Sequence, residues 1–225
     1  ASRANSFTGT VNDGLYMFGA MSEQTFDKNS SPSAYLKSSG GAEHAPRFDY
    51  DKDGNSKGLL IEEARTQYVT HSIDLNSGLP NKGTGVTIAT AGDIQDPSGA
   101  YETRKLVQSP SGNGNIYQSA FNAISTHFTN GSVHTRSIFA KKAEMSFIKI
   151  QHYDGTDNLG AYFDLDKGIL GTVNTGVTAK IEDYGNGWYR CSVTRLTPAG
   201  RNDAERLQVG LATGDNASMI YTGDG

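Results

Sequence analysis

A single cysteine, Cys191, stands in this chain of 225 residues. No internal disulfide can form, so stability must come from packing or from association between subunits. Long apolar runs are missing too: none approaches the roughly 20 residues that a membrane span needs. The first residues do not show the charged-then-apolar order of a secretion signal. Charge of one sign is not concentrated anywhere, because 20 basic and 24 acidic residues are interspersed to a net −4. With no Lys/Arg cluster to track phosphates, nucleic acid is not an expected partner, and no membrane is either. Enzyme signatures are equally scarce. The five histidines (His44, His71, His127, His134 and His152) have no metal-ligand spacing. No Gly-x-Ser-x-Gly elbow occurs, and no motif links Cys191 to a histidine. Gly112-Asn113-Gly114-Asn115 precedes a strand pattern rather than a helix, so it is no phosphate loop. The expectation is a chain without catalytic residues and without a cofactor.

What is abundant is glycine, 27 residues or about 12%, against a usual level of about 7%. Much of it sits in turn dipeptides: Asp13-Gly14, Asp53-Gly54, Asn113-Gly114, Asn130-Gly131, Asp154-Gly155 and Asn186-Gly187. Between them lie short runs rich in Val, Ile, Thr, Phe and Tyr. Strands are expected at 85–89, 102–108, 116–120, 132–140, 146–153, 161–166, 178–183, 188–194, 207–212 and 218–221. Alternation assigns the faces: Ile148 and Ile150, Ala161, Phe163 and Leu165, and Tyr189, Cys191 and Val193 point inward. Cys191 therefore reads as a small buried hydrophobe. Asn186-Gly187, just before the last of these runs, has the residues of a two-residue hairpin turn. With no repeat and no helix of more than about two turns, the pattern is all-β: an antiparallel β-sandwich.

Three regions can be separated. Residues 1–45 are polar, Ser/Gly/Asn-rich and closed by Ser38-Ser39-Gly40-Gly41; they form an irregular N-terminal arm with one or two short strands, packed on the main domain or on a neighbouring subunit. Residues 46–82 read as a strand–turn–strand hairpin and linker. Residues 83–225 form the sandwich.

A family resemblance is carried by particular residues. Ala45-Pro46-Arg47-Phe48-Asp49-Tyr50-Asp51 followed by Gly58-Leu59-Leu60-Ile61-Glu62-Glu63-Ala64-Arg65-Thr66 resembles the segment that introduces a jelly-roll module of phage tail fibres and tailspikes. Phe139-Ala140-Lys141, Phe147-Ile148-Lys149-Ile150, the run from Tyr162 to Gly168, Val177-Thr178-Ala179-Lys180-Ile181-Glu182-Asp183 and Gly185-Asn186-Gly187-Trp188-Tyr189-Arg190-Cys191-Ser192-Val193-Thr194 are similar to the module itself. Ser2-Arg3-Ala4-Asn5-Ser6 is similar to the short leading motif of such proteins. The likeness covers about 45 to 212 in matching order. It implies a jelly roll resembling carbohydrate-binding modules, a virion location on a phage tail or capsid surface, a homotrimer, other virion proteins as partners, and a further strand beyond 225. Residues 12–44 are longer than the family's usual leading segment.

Three constellations could carry chemistry. Asp49-x-Asp51-x-Asp53-Gly54 matches the first half of a calcium loop, but Leu60 stands where a bidentate Glu would close it. A polar hairpin turn is the preferred reading, with calcium at Asp49, Asp51 and Asp53 the alternative. Asp164 and Asp166 could be drawn as an acid/base pair, yet they are expected on a solvent face where nothing raises a carboxyl pKa. The third constellation is aromatic. Trp188 and Arg190, with Tyr162, Gln151, Tyr153 and Lys149 on nearby strands, lie opposite the core and could stack and hydrogen-bond a glycan. For Trp188 the preferred reading is packing at the sandwich edge or against the arm, with Arg190 paired to Glu182 or Asp183. Functionally, the sequence points first to a virion protein of tail-fibre or tailspike type that binds host-surface polysaccharide without catalysis. A capsid decoration, head-fibre or connector protein is one alternative; a non-catalytic carbohydrate-binding module of a polysaccharide-degrading enzyme is the other.

Overall fold

The computed structural model describes residues 14–25, 48–50, 56–59, 86–108, 118–121, 131, 133–154, 158–197 and 205–218. Among these the chain is all-β, with thirteen strands and no helix. They are β1 (Gly14–Thr25), β2 (Phe48–Tyr50), β3 (Ser56–Leu59), β4 (Val86–Thr90), β5 (Arg104–Gln108), β6 (Gln118–Phe121), β7 (Val133–Lys142), β8 (Phe147–Asp154), β9 (Asn158–Asp164), β10 (Ile169–Val173), β11 (Val177–Asp183), β12 (Trp188–Leu196) and β13 (Glu205–Ala212). All pairings are antiparallel. Six strands form one sheet in the order β11-β12-β7-β1-β5-β4, five form a second in the order β10-β9-β8-β13-β6, and β2 pairs with β3. The chain changes sheet between β5 and β6, β6 and β7, β7 and β8, β10 and β11, and β12 and β13, so the two layers are built from interleaved segments, as in a β-sandwich.

The β-sandwich expected from sequence is therefore present, and its core is the alternation already read. Ile138 and Ala140 of β7, Ile148 and Ile150 of β8, Ala161 and Phe163 of β9, Cys191 and Val193 of β12, and Val209 and Leu211 of β13 fill the space between the sheets, with Tyr189 packed at the margin. Each Ile, Leu, Val or Phe among them, removed from water, contributes on the order of 1.5–3 kcal/mol before conformational entropy is charged against it. Toward one end the same inward positions turn polar. His134, Arg136, Arg195 and His152 are all buried there. Val193 faces Arg136 and Arg195 faces His134 in the β12–β7 register, and the rings of His134 and His152 meet edge-on at 6.5 Å.

Two strands depart from the sequence expectation. The arm's segment 14–25 is a long strand at the heart of the six-stranded sheet, between β7 and β5. Leu15 and Met17 enter the core, and a bulge between Phe18 and Met21 absorbs the Gly19-Ala20 interruption. The alternation is broken at that bulge, so the run does not read as one strand. The second is β10, whose Ile169-Leu170-Gly171-Thr172-Val173 run is split by glycine and by a register shift between Leu170 and Val173. Of the strand expected at 218–221, only Ser218 falls among the described residues, and it is not in a strand.

The β11–β12 hairpin is as expected, but its turn is longer than two residues. Tyr184 N–H donates to Trp188 O at 2.9 Å, leaving 185–187 between them. Gly185, Asn186 and Gly187 all have positive φ (79°, 51° and 78°). The left-handed stretch needs the whole Gly-Asn-Gly tripeptide, since glycine and asparagine tolerate that region best.

Candidate functional site

The residues proposed as a glycan platform separate onto two opposite surfaces of the sandwich. On the outer side of the six-stranded sheet lie Trp188 and Arg190; on the outer side of the five-stranded sheet lie Lys149, Gln151 and Tyr162. Face-to-face sheets are spaced by about 10 Å, so these two sets cannot meet one sugar.

Trp188 is 2% exposed and packs with Phe139, Tyr16 and Ile94. Its indole Nε1–H donates to Gln95 O at 2.9 Å. The covering loop, 91–103, is itself braced by Asp96, whose carboxylate accepts from Ser98 N (2.7 Å), Ser98 Oγ (2.6 Å), Ala100 N (3.3 Å) and Glu102 N (3.3 Å). The packing reading of Trp188 is the one the structure bears out. Its partners are this loop and, from the arm, Tyr16 of β1. Arg190 is buried as well, with its guanidinium 5.7 Å over the Phe139 ring and Nη2 donating to Ser137 Oγ at 3.4 Å. Glu182 faces it across the strand pair, while Lys180 Nζ reaches Glu182 at 2.7 Å. The outer face of β12 is thus not the solvent face that simple alternation assigns: Ser192 and Thr194 are buried too, and Thr194 shares a 2.8 Å hydroxyl bond with Thr135. As a ligand surface this side offers neither the tryptophan nor the arginine.

The other face is continuous. In register across β9, β8 and β13 stand Tyr162–Lys149–Gly210, then Gly160–Gln151–Gln208, then Asn158–Tyr153–Arg206. Lys149 Nζ lies 5.0 Å from the Tyr162 ring centroid, a cation–π contact. Partial burial lowers the Lys149 ammonium below its ordinary value. Gln151 Nε2 donates to Gln208 Oε1, and also to Asn158 Oδ1 at 3.2 Å. A glycine makes room along this row. A Cβ on Gly160 would lie 2.0 Å from Ile150 O, and the Gly160 backbone is bracketed by Asn174, whose Oδ1 accepts from Gly160 N and whose N donates to Gly160 O, both at 2.9 Å. At the rim the segment after β13 folds back: Tyr162 Oη–H donates to Ala217 O at 2.7 Å, and Asp215 accepts from Thr172 N (2.6 Å) and Thr172 Oγ1 (3.0 Å). Burial, and then the charge of Asp215, raises the Tyr162 phenol. Tyr162 and Gln151 are both buried, at 5% and 3% exposure. The backbone of Tyr153 is in β8, and its side chain lies outside the described part.

Asp164 and Asp166 are not a pair. Asp164 is buried and accepts from Asp166 N (3.0 Å), Lys167 N (3.2 Å) and Lys167 Nζ (2.8 Å). Burial alone would raise its carboxyl, but the Lys167 ammonium and the two backbone donors outweigh that and hold it below the usual carboxylate range. Asp166 points instead to Lys142. Asp164 is a turn-former between β9 and β10, and its burial corrects the solvent-facing expectation. Of the calcium triad, Asp49 belongs to β2, with its side chain outside the described part, and Asp51 and Asp53 lie outside the described residues. Among the described residues no group of three His, Cys, Asp or Glu could hold a metal ion, and no helix is long and apolar enough to cross a membrane. Cys191 is fully buried and its thiol is pushed well up by that burial.

Sequence reasoning did not find Gln208, Asn158, Thr172 or Asp215. Gln208 was findable, as the polar residue between Leu207 and Val209 in an alternating run. Asp215 and Thr172 are 43 positions apart and carry no local signal. Comparison of the chain with protein-family models and with curated proteins finds no match.

Proposed function

We propose that the chain is a non-catalytic phage virion protein of tail-fibre or tailspike type that attaches to host-surface polysaccharide. The observation that carries this reading is the row Tyr162, Lys149, Gln151, Gln208 and Asn158 on one outer sheet face. An aromatic ring, an ammonium and carboxamides side by side suit the C–H faces and hydroxyls of a sugar. The motif resemblance from about 45 to 212 supports the virion assignment. A homotrimer would place three such faces together and turn weak sugar contacts into avidity. The test is binding to an array of bacterial surface polysaccharides, with Lys149→Ala as the paired variant. Saturable binding that Lys149→Ala weakens at least several-fold, with the thermal transition intact, is the expected result.

A second reading, a decoration, head-fibre or connector part with a purely structural role, is favoured by the burial of Tyr162, Gln151 and Gln208. That role predicts a blank array together with binding to capsid or tail assemblies.

A further inference from the structure

A sugar platform whose central aromatic ring is 5% exposed cannot be met by a ligand as it stands. The geometry points to residues 213–217 as a strap over Tyr162, clasped by Asp215, that must lift before the ring can be used; this rests on the glycan reading of the same face.

The strap leaves β13 and turns at Gly214 to Ala217, with Ala217 N donating to Gly214 O at 3.3 Å and Asn216 in the left-handed region (φ 54°). It is tied down at two points. Tyr162 Oη–H donates to Ala217 O, and both oxygens of Asp215 are taken by Thr172 of the edge strand β10. The clasp depends on a missing side chain: a Cβ on Gly171 would sit 2.3 Å from Asp215 Oδ1 and 3.2 Å from Tyr162 Cβ. Any side chain at 171 must push the carboxylate off this seat. The Asp215–Thr172 bonds are solvent-exposed, so water competes for both partners and the clasp is weak enough to open. Local opening of such a segment needs none of the core between the sheets to unfold. If only the lifted form binds, its small population reduces the apparent affinity in proportion, and unclasping should restore it.

Two substitutions unclasp the strap by different routes. Asp215→Ala removes the acceptor, and Gly171→Ala displaces it while leaving every polar group in place. Hydrogen exchange across 213–217 and nitration of Tyr162, mapped by peptide mass among the 11 tyrosines, read the strap directly. Array binding to bacterial polysaccharides reads its consequence. Both variants should raise exchange and Tyr162 nitration about tenfold or more and tighten polysaccharide binding several-fold. Unchanged exchange and nitration in both variants would overturn the strap. Raised exchange with weaker binding would also overturn it as a gate, making the strap a part of the binding surface instead. Raised exchange and nitration with no binding by any form supports the strap and overturns the glycan reading alone.

Discussion

Trp188 is the chain's only tryptophan, which makes its environment directly measurable. Its ring is 2% exposed, sits against Phe139, Tyr16 and Ile94, and gives its N–H to Gln95 O. Truncating a buried Trp to Ala costs about 3–5 kcal/mol through lost transfer energy and the cavity left behind. Of that, the indole hydrogen bond accounts for about 1 kcal/mol, since the carbonyl it leaves can regain water only if the loop moves. Trp188→Phe keeps most of the packing and should cost about 1–3 kcal/mol by the same reasoning. For a chain of this size each kcal/mol lowers Tm by roughly 2–4 °C. Trp188→Ala should therefore melt about 6–20 °C below wild type, and Trp188→Phe should fall between the two. In the wild type, fluorescence should be blue-shifted and protected from acrylamide until the cooperative transition. A Trp188→Ala protein melting within about 2 °C of wild type, or wild-type emission typical of a solvated indole, would refute the loop-covered tryptophan. If that variant also lost polysaccharide binding, the ligand reading of Trp188 would take its place.

Three further outcomes follow from single sites. Gly160→Ala forces a Cβ within 2.0 Å of the Ile150 carbonyl and should cost about 3 kcal/mol or more, because two backbones must part; Gly92→Ala, with nothing within 4 Å, should stay within about 0.5 kcal/mol in the same urea titration. Asp164 is held below the usual carboxylate range, so its contribution is complete above that range and is lost as pH falls through the lowered value. Asp164→Asn keeps an amide oxygen for the two backbone donors but loses the charge and the acceptor for Lys167 Nζ, so it should flatten the acid limb of the stability–pH curve and cost about 1–2 kcal/mol at neutral pH; an unchanged acid limb would rule this out. Cys191 should react with thiol reagents only at the rate of global unfolding, since it is fully buried with a raised thiol; fast labelling under native conditions would contradict the core assignment.

The sandwich was legible because period-two alternation and glycine turn pairs are local signals, and the inward positions from Ile148 to Val193 were read directly from them. What alternation does not encode is the fate of the outward positions. Arg190, Ser192 and Thr194 are outward by period yet buried, and Trp188 is sealed by a loop more than 80 positions earlier in the chain. Polar sequence on the outer face is compatible with solvent or with a cover, because a buried hydroxyl or guanidinium is tolerated wherever a partner is supplied. The Thr135–Thr194 bond and the Arg190–Phe139 contact are two such supplies.

The candidate site was half legible for a related reason. Lys149, Gln151 and Tyr162 were grouped correctly because neighbouring antiparallel strands with known inward residues leave only one outer side for the rest. Adding Trp188 and Arg190 required knowing which sheet each strand joins, and the chain changes sheet between β10 and β11. "Opposite the core" names two surfaces in a sandwich, and a strand's own sequence does not say which. Sheet membership is fixed instead by long-range pairing, here β12 with β7 and β8 with β9 and β13. The same pairing brings the 213–217 segment from the end of β13 across to β10, where Asp215 finds Thr172. Any reading of function from this face must therefore account for the closed strap as well as for the side chains beneath it.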